Sequence, residues 1–155
     1  MKKRILMLLM AMVVMAAGCT AKQENSNAEQ TAEQGYDISK VDKYMKSVEE
    51  QSDVLKVSLE QDELTQSDMN LKSQELYELW DGALNYIWGE LETNLPEEEF
   101  SALQEEQLEW IEEKESAVEE VGKDFENGSL YTLVVNSEAA DITEERTYEL
   151  YELLK

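Results

Sequence analysis

Histidine is missing from this chain of 155 residues, and cysteine occurs once, at Cys19. Without histidine, and with one thiol at the very start of the chain, the usual nucleophile–base pairs and the usual zinc ligands are gone. Proline also occurs once, at Pro96, and the six glycines form no phosphate-cradling loop. Cations are scarce: 13 Lys and Arg stand against 36 Asp and Glu, a formal net charge of −23. Such a chain repels nucleic acid, and it repels an anionic lipid surface as well. Only one long apolar run exists, at the N-terminus, so no conventional transmembrane helix is expected after it.

That run belongs to MKKRILMLLMAMVVMAAGCT. Lys2, Lys3 and Arg4 precede an apolar stretch from Ile5 to Met15, of signal-peptide length and short for a bilayer span. The small residues Ala16, Ala17 and Gly18 then lead to Cys19, the pattern of a bacterial lipobox. A free thiol on an exported protein invites intermolecular pairing, and acylation removes it. Residues 1–18 are therefore expected to be a lipoprotein signal peptide, with Cys19 the lipidated N-terminus of the mature chain. Without the three leader cations, ten cations face 36 acids, about −26 by formal count. A tether from 19 to 35 follows, since residues 20–35 carry no large apolar side chain. The localisation expected is outside the cell, on the membrane, held by lipid.

Beyond the tether, 42% hydrophobic residues with three Trp and seven Tyr are too many for a disordered acidic tail. An N-terminal helical segment is expected over 36–62. Val41, Tyr44, Met45 and Val48 recur at helical spacing, with Ser39 a possible N-cap, while Val54–Leu59 alternates well enough for a strand. From Thr65 to Leu95, the positions Leu76, Trp80, Leu84, Ile87, Leu91 and Leu95 draw one apolar stripe. Pro96 followed by Glu97, Glu98 and Glu99 marks a helix start, since proline suits the first position and carboxylates complement the dipole. So short a connection predicts an antiparallel helix hairpin. The next stripe runs from Phe100 to Phe125 and stops at Asn127-Gly128. Leu130–Val135 is helical or extended, and Asp141 with Glu144 predicts a capping box opening a last helix. The fold class expected is all-α, a small bundle of three to four helices.

No catalytic, metal or cofactor residue stands out. With 36 acids, chance alone brings carboxylates together, so no glycosidase pair is singled out. Placing Gly128 at the sixth position of a calcium loop puts Lys123, Phe125 and Val134 at ligand positions, and the loop fails. Two polar residues do interrupt the Phe100–Phe125 stripe: Gln107 and Lys114. Either both find partners at the edge of the core, or they form a buried polar cluster that shapes a groove. Lys114 is expected to pair with a carboxylate in either case.

The stretch TQSDMN at 65–70, then Asp81, Leu84 and Asn85, then Gln107-x-x-Trp110-x-x-x-Lys114, then Thr143-x-x-Arg146, resembles the LprI-type lysozyme inhibitor N-terminal domain. The resemblance covers about residues 60–155, and 63–155 is read as the LprI-like helical domain. It implies an all-helical, exported and often lipid-anchored protein that engages lysozyme. It also implies signature positions at Asn70, Asp81, Asn85, Gln107, Trp110, Lys114 and Arg146, structural or binding in role; the polar ones are read here as internal tethers between helices. Members of that family often carry cysteines near positions that hold Lys72, Val118 and Ala139 or Ala140 here, and an arginine where this chain has Lys114.

The function expected is that of a non-enzymatic, surface-anchored binding module, inhibiting a cationic lysozyme-like hydrolase. Charge of this size would steer such a partner. The alternative is a structural or assembly lipoprotein that binds another envelope protein. An enzyme acting on cell-wall glycan would need two carboxylates of shifted pKa in a cleft.

Overall fold

The computed structural model describes residues 36–60 and 63–155. The expected signal peptide 1–18, Cys19 and the tether to residue 35 lie outside the described residues. Four helices follow: α1 (Ser39–Leu59), α2 (Gln66–Asn94), α3 (Glu97–Lys123) and α4 (Tyr131–Glu152). No strand occurs among the described residues.

Local chemistry sets most of the helix ends. Thr65 and Asp68 form the capping box of α2, the Asp68 backbone N–H donating to Thr65 Oγ1 at 3.2 Å and the Thr65 N–H to Asp68 Oδ2 at 3.1 Å. The Thr65 hydroxyl, which donates to Asp68 Oδ2 at 2.6 Å, and then the Thr65 N–H hold the Asp68 carboxyl below its ordinary pKa. Pro96 occupies the N-cap of α3, and Glu97, Glu98 and Glu99 fill its first turn. At α1 the cap differs from the expectation. Ser39 is the first helical residue, and its N–H donates to Asp37 Oδ1 at 3.1 Å, so Asp37 supplies the capping oxygen.

Three further boundaries depart from the sequence reading. Val54–Leu59 is the end of α1, because Ser52, Leu55 and Leu59 continue its inward face. Helix α3 ends at Lys123, four residues before Asn127, which adopts φ 64° in the left-handed region that asparagine tolerates. Asp141 opens nothing: α4 is one continuous helix from Tyr131. Glu144, the expected capping partner, instead meets Lys56 Nζ of α1 at 2.5 Å.

Side-chain contacts give the topology. Helix α1 runs antiparallel to α2, since Ser52 meets Trp80 while Tyr36, just before α1, meets Glu90, and α3 runs antiparallel to α2 through Trp88–Phe100 and Tyr77–Lys114. Helices α2 and α4 form the central pair and run parallel, with α1 on one side and α3 on the other. The expected hairpin is therefore present, but α2 and α3 make little close contact and both lean on α4.

The core includes Val41, Met45 and Val48 from α1, Leu76, Trp80, Leu84, Ile87 and Leu91 from α2, Phe100 and Leu103 from α3, and Ala140 and Leu150 from α4. The α2 stripe is buried from Leu76 to Leu91 as its spacing predicts, and Leu95, the C-cap residue, is half-buried. Trp80 is fully buried, and its indole N–H donates to Ser52 Oγ at 3.1 Å, so α1 supplies the partner that this buried donor needs. Gly122 lets α3 approach α4: a Cβ there would stand 3.0 Å from Tyr131 and Val135 side-chain atoms. One compact unit, Gly35–Lys155, contains all of this.

Candidate functional site

Only the first half of α3 lies in the core. Phe100, Leu103 and Gln107 are buried, whereas Trp110, Ile111, Lys114, Val118 and Val121 are half-exposed. With α2 and α3 held apart by α4, an open groove of about 560 Å³ runs between them. Leu84, Trp88, Leu108, Trp110 and Ile111 line it with apolar surface, and Asp81, Asn85, Gln104, Gln107 and Lys114 add polar atoms.

Gln107 sits on the groove floor at 8% exposure and binds the element behind it. Arg146 of α4, itself 6% exposed, donates from Nε to Gln107 Oε1 at 3.0 Å. Its Nη1 contacts Glu106 at 2.7 Å and Glu149 at 2.8 Å, while Nη2 is buried without a partner. This cluster ties α3 to α4 through one planar guanidinium. It is an internal tether between the two helices.

Lys114 departs from the expectation. It makes no ion pair among the described residues, although Glu113 and Glu115 adjoin it in sequence. Its Nζ lies over the Trp110 ring, 4.9 Å from the centroid, and over Tyr77 at 5.4 Å, and it donates to the Tyr77 hydroxyl at 3.4 Å. Helical geometry explains this. Glu113 and Glu115 point to other faces of α3, while Trp110 one turn earlier and Tyr77 across the groove present their rings to Nζ.

Asp81 and Asn85 share the groove wall one turn apart, with Asn85 Nδ2 donating to the Asp81 backbone carbonyl at 2.8 Å and to its carboxylate at 3.1 Å. Six of the seven signature positions thus meet at the groove and the tether beneath it. Asn70 does not. It accepts from Gln66 Nε2 at 2.9 Å in the first turns of α2. Tyr77 and Glu106 were missed because nothing local in the sequence links them to residues on other helices, and Glu149, an i,i+3 partner of Arg146, because it is one of many glutamates. Leu108 carried a readable signal: it is a leucine off the apolar stripe, between Glu105 and Glu109, and it is 65% exposed.

The outer surface of α3 is almost wholly anionic. Eleven of its 27 residues are glutamate, every one solvent-exposed, against the two lysines Lys114 and Lys123. Lys123 pairs with Glu120, which pulls that carboxyl below its ordinary pKa. Three carboxyls among the described residues, Asp37, Asp68 and Glu120, have shifted pKa values, all lowered by local hydrogen bonds, which keeps them anionic. That is the reverse of what a general acid needs.

A family model described as "Lysozyme inhibitor LprI" matches residues 58–150. The chain belongs to the LprI family. The matched span takes in α2, α3, nearly all of α4 and every signature position, so the groove and the Gln107–Arg146 tether fall within the LprI portion. Helix α1 falls outside it apart from its last two residues, yet it fills the core beside Trp80. No curated protein and no solved structure matches the chain.

Proposed function

We propose that this chain is an exported, lipid-anchored LprI-type inhibitor that captures a cationic lysozyme-like hydrolase outside the cell. The observation that carries the reading is the juxtaposition on α3 of an anionic surface with an apolar groove. Eleven exposed glutamates would steer and orient a basic partner, and Leu108, Trp110 and Ile111 offer the apolar contact that charge alone does not supply. The lipobox at Cys19 supports anchorage. The protein need not be attracted to the membrane, because an acyl chain and the tether hold it there.

A soluble form, residues 20–155, keeps all four helices and suits a cell-wall clearing assay with a basic lysozyme. Inhibition is expected at low salt and, weakened, at about 150 mM. Leu108→Gln, a change at an exposed position, is expected to raise the concentration for half inhibition by roughly tenfold, as loss of a central apolar contact does. Full lysozyme activity in a large excess of the domain at low salt would end the proposal. For the anchor, Cys19→Ser in the full chain is expected to move the protein from the membrane fraction to the soluble exported fraction; unchanged fractionation would refute lipidation.

A further inference from the structure

A second groove, of about 640 Å³, follows the outer seam between α1 and α2. Val54, Leu55 and Leu79 form its apolar floor, and Glu50, Glu75 and Glu78 rim it. Val54 is 69% exposed and Val57, one turn further on, 61%. An exposed valine in a helix is unfavourable twice over, through its stiff side chain and through the apolar surface it leaves in water. Among the described residues nothing offsets either cost, and none of the three rim glutamates forms an ion pair there. This flank of α2 faces away from Leu84 and Trp88, so the two grooves are separate surfaces.

We infer that the α1–α2 groove is a docking site for a cationic amphipathic helix of a partner protein, distinct from the surface proposed to engage lysozyme. Charge selects the occupant. A second copy of this chain would bring the same acidic rim against itself, and an anionic lipid surface would be repelled. Lysines or arginines flanking an apolar stripe would match the rim glutamates while the stripe covers Val54, Leu55 and Leu79. Backbone chemistry selects a helix. The groove walls are helices whose main-chain groups are already bonded, so an extended segment would leave its own N–H and C=O groups unpaired on an apolar floor. The lining residues of α1 span positions 47–55, roughly 12 Å at 1.5 Å per residue, which seats two to three turns of a partner helix. Five of the eight lining residues belong to α1 and lie outside the LprI-matched span, so this surface is an addition to the family portion.

The probe is a synthetic peptide of about 18 residues, leucine on one helical face and lysine on the other. Its binding to the isotope-labelled soluble form is followed by amide chemical shifts at about 150 mM salt, where diffuse attraction is screened. Shifts are expected at Ser47, Gln51, Val54 and Leu79. Val54→Gln with Val57→Gln, both at exposed positions, is expected to weaken binding at least tenfold and to leave lysozyme inhibition unchanged. Shifts spread over α3, or an affinity unmoved by the double substitution, would overturn the inference. Loss of lysozyme inhibition in that variant would overturn it too, by making this groove the inhibitory surface, while leaving the inhibitor reading intact. Absence of inhibition in the parent protein would sink that reading without touching this one.

Discussion

Arg146 is the residue on which the LprI portion depends most. Its guanidinium is almost fully buried, yet it answers only one buried acceptor, Gln107 Oε1, and two exposed carboxylates. Replacing it with alanine would strand the Gln107 carbonyl oxygen and empty the space between α3 and α4. Arg146→Ala is expected to cost about 2–4 kcal/mol, read as a drop in urea midpoint. The double variant Arg146→Met/Gln107→Leu is expected to recover most of that, because it leaves no buried polar atom unpaired and removes the orphan Nη2. A double variant no more stable than Arg146→Ala would show that the polar tether itself holds α3 in place. Gln107 was legible in the sequence as a polar break in its apolar stripe, and Arg146 only through the family resemblance. Their pairing was not, since 39 residues separate them and only the docking of α4 brings them together.

At the scale of the element, α1 is held by apolar contacts and by a row of tyrosine hydroxyls. Tyr148 donates to Glu49 at 2.9 Å, Tyr151 to Asp42 at 2.5 Å, and Tyr36, just before α1, to Glu90 at 3.2 Å. Burial, then the Glu90 carboxylate, pushes the Tyr36 hydroxyl up to about 12, and burial, then the hydrogen bond to Asp42, raises Tyr151 to about 12 as well. Burial and the bond to Glu49 push Tyr148 higher still. A folded pKa above the unfolded value near 10 means that the neutral phenol is favoured in the folded state. The contribution is therefore whole below about pH 10 and is lost as pH rises towards 12. The urea midpoint is expected to fall across that window. The triple variant Tyr36→Phe/Tyr148→Phe/Tyr151→Phe should lower the midpoint at neutral pH and flatten its alkaline decline. An equally steep decline in that variant would show that these hydroxyls do not set it.

The whole molecule carries far more negative charge than its ion pairs relieve. Of the five ion-pair contacts among the described residues, three are local i,i+3 pairs. Self-repulsion therefore outweighs specific attraction, and screening should help the fold. The melting temperature is expected to rise between about 10 and 500 mM sodium chloride, while the association rate with a basic lysozyme falls over the same range. A melting temperature that falls with salt would show that ion pairs dominate. The same acidity that makes the surface a trap for basic partners is thus a burden on stability. The helical core has to carry it without the cysteines that the family resemblance would have led one to expect near Lys72 and Val118.

By itself the sequence determined what is local. The stripe from Leu76 to Leu91, the Thr65–Asp68 capping box, the break at Pro96 and the acidic surface of α3 each arise from residues within a few turns of one another, where spacing and backbone chemistry suffice. Tertiary structure decided what depends on which helix lies against which. It carried α4 unbroken past Asp141 and drew Glu144 to Lys56. It set Lys114 on aromatic rings instead of a carboxylate, gave Trp80 its hydrogen-bond partner from α1, and kept α2 and α3 apart by docking both on α4. The physical reason is that periodicity tells a helix which face to bury but not what will cover it.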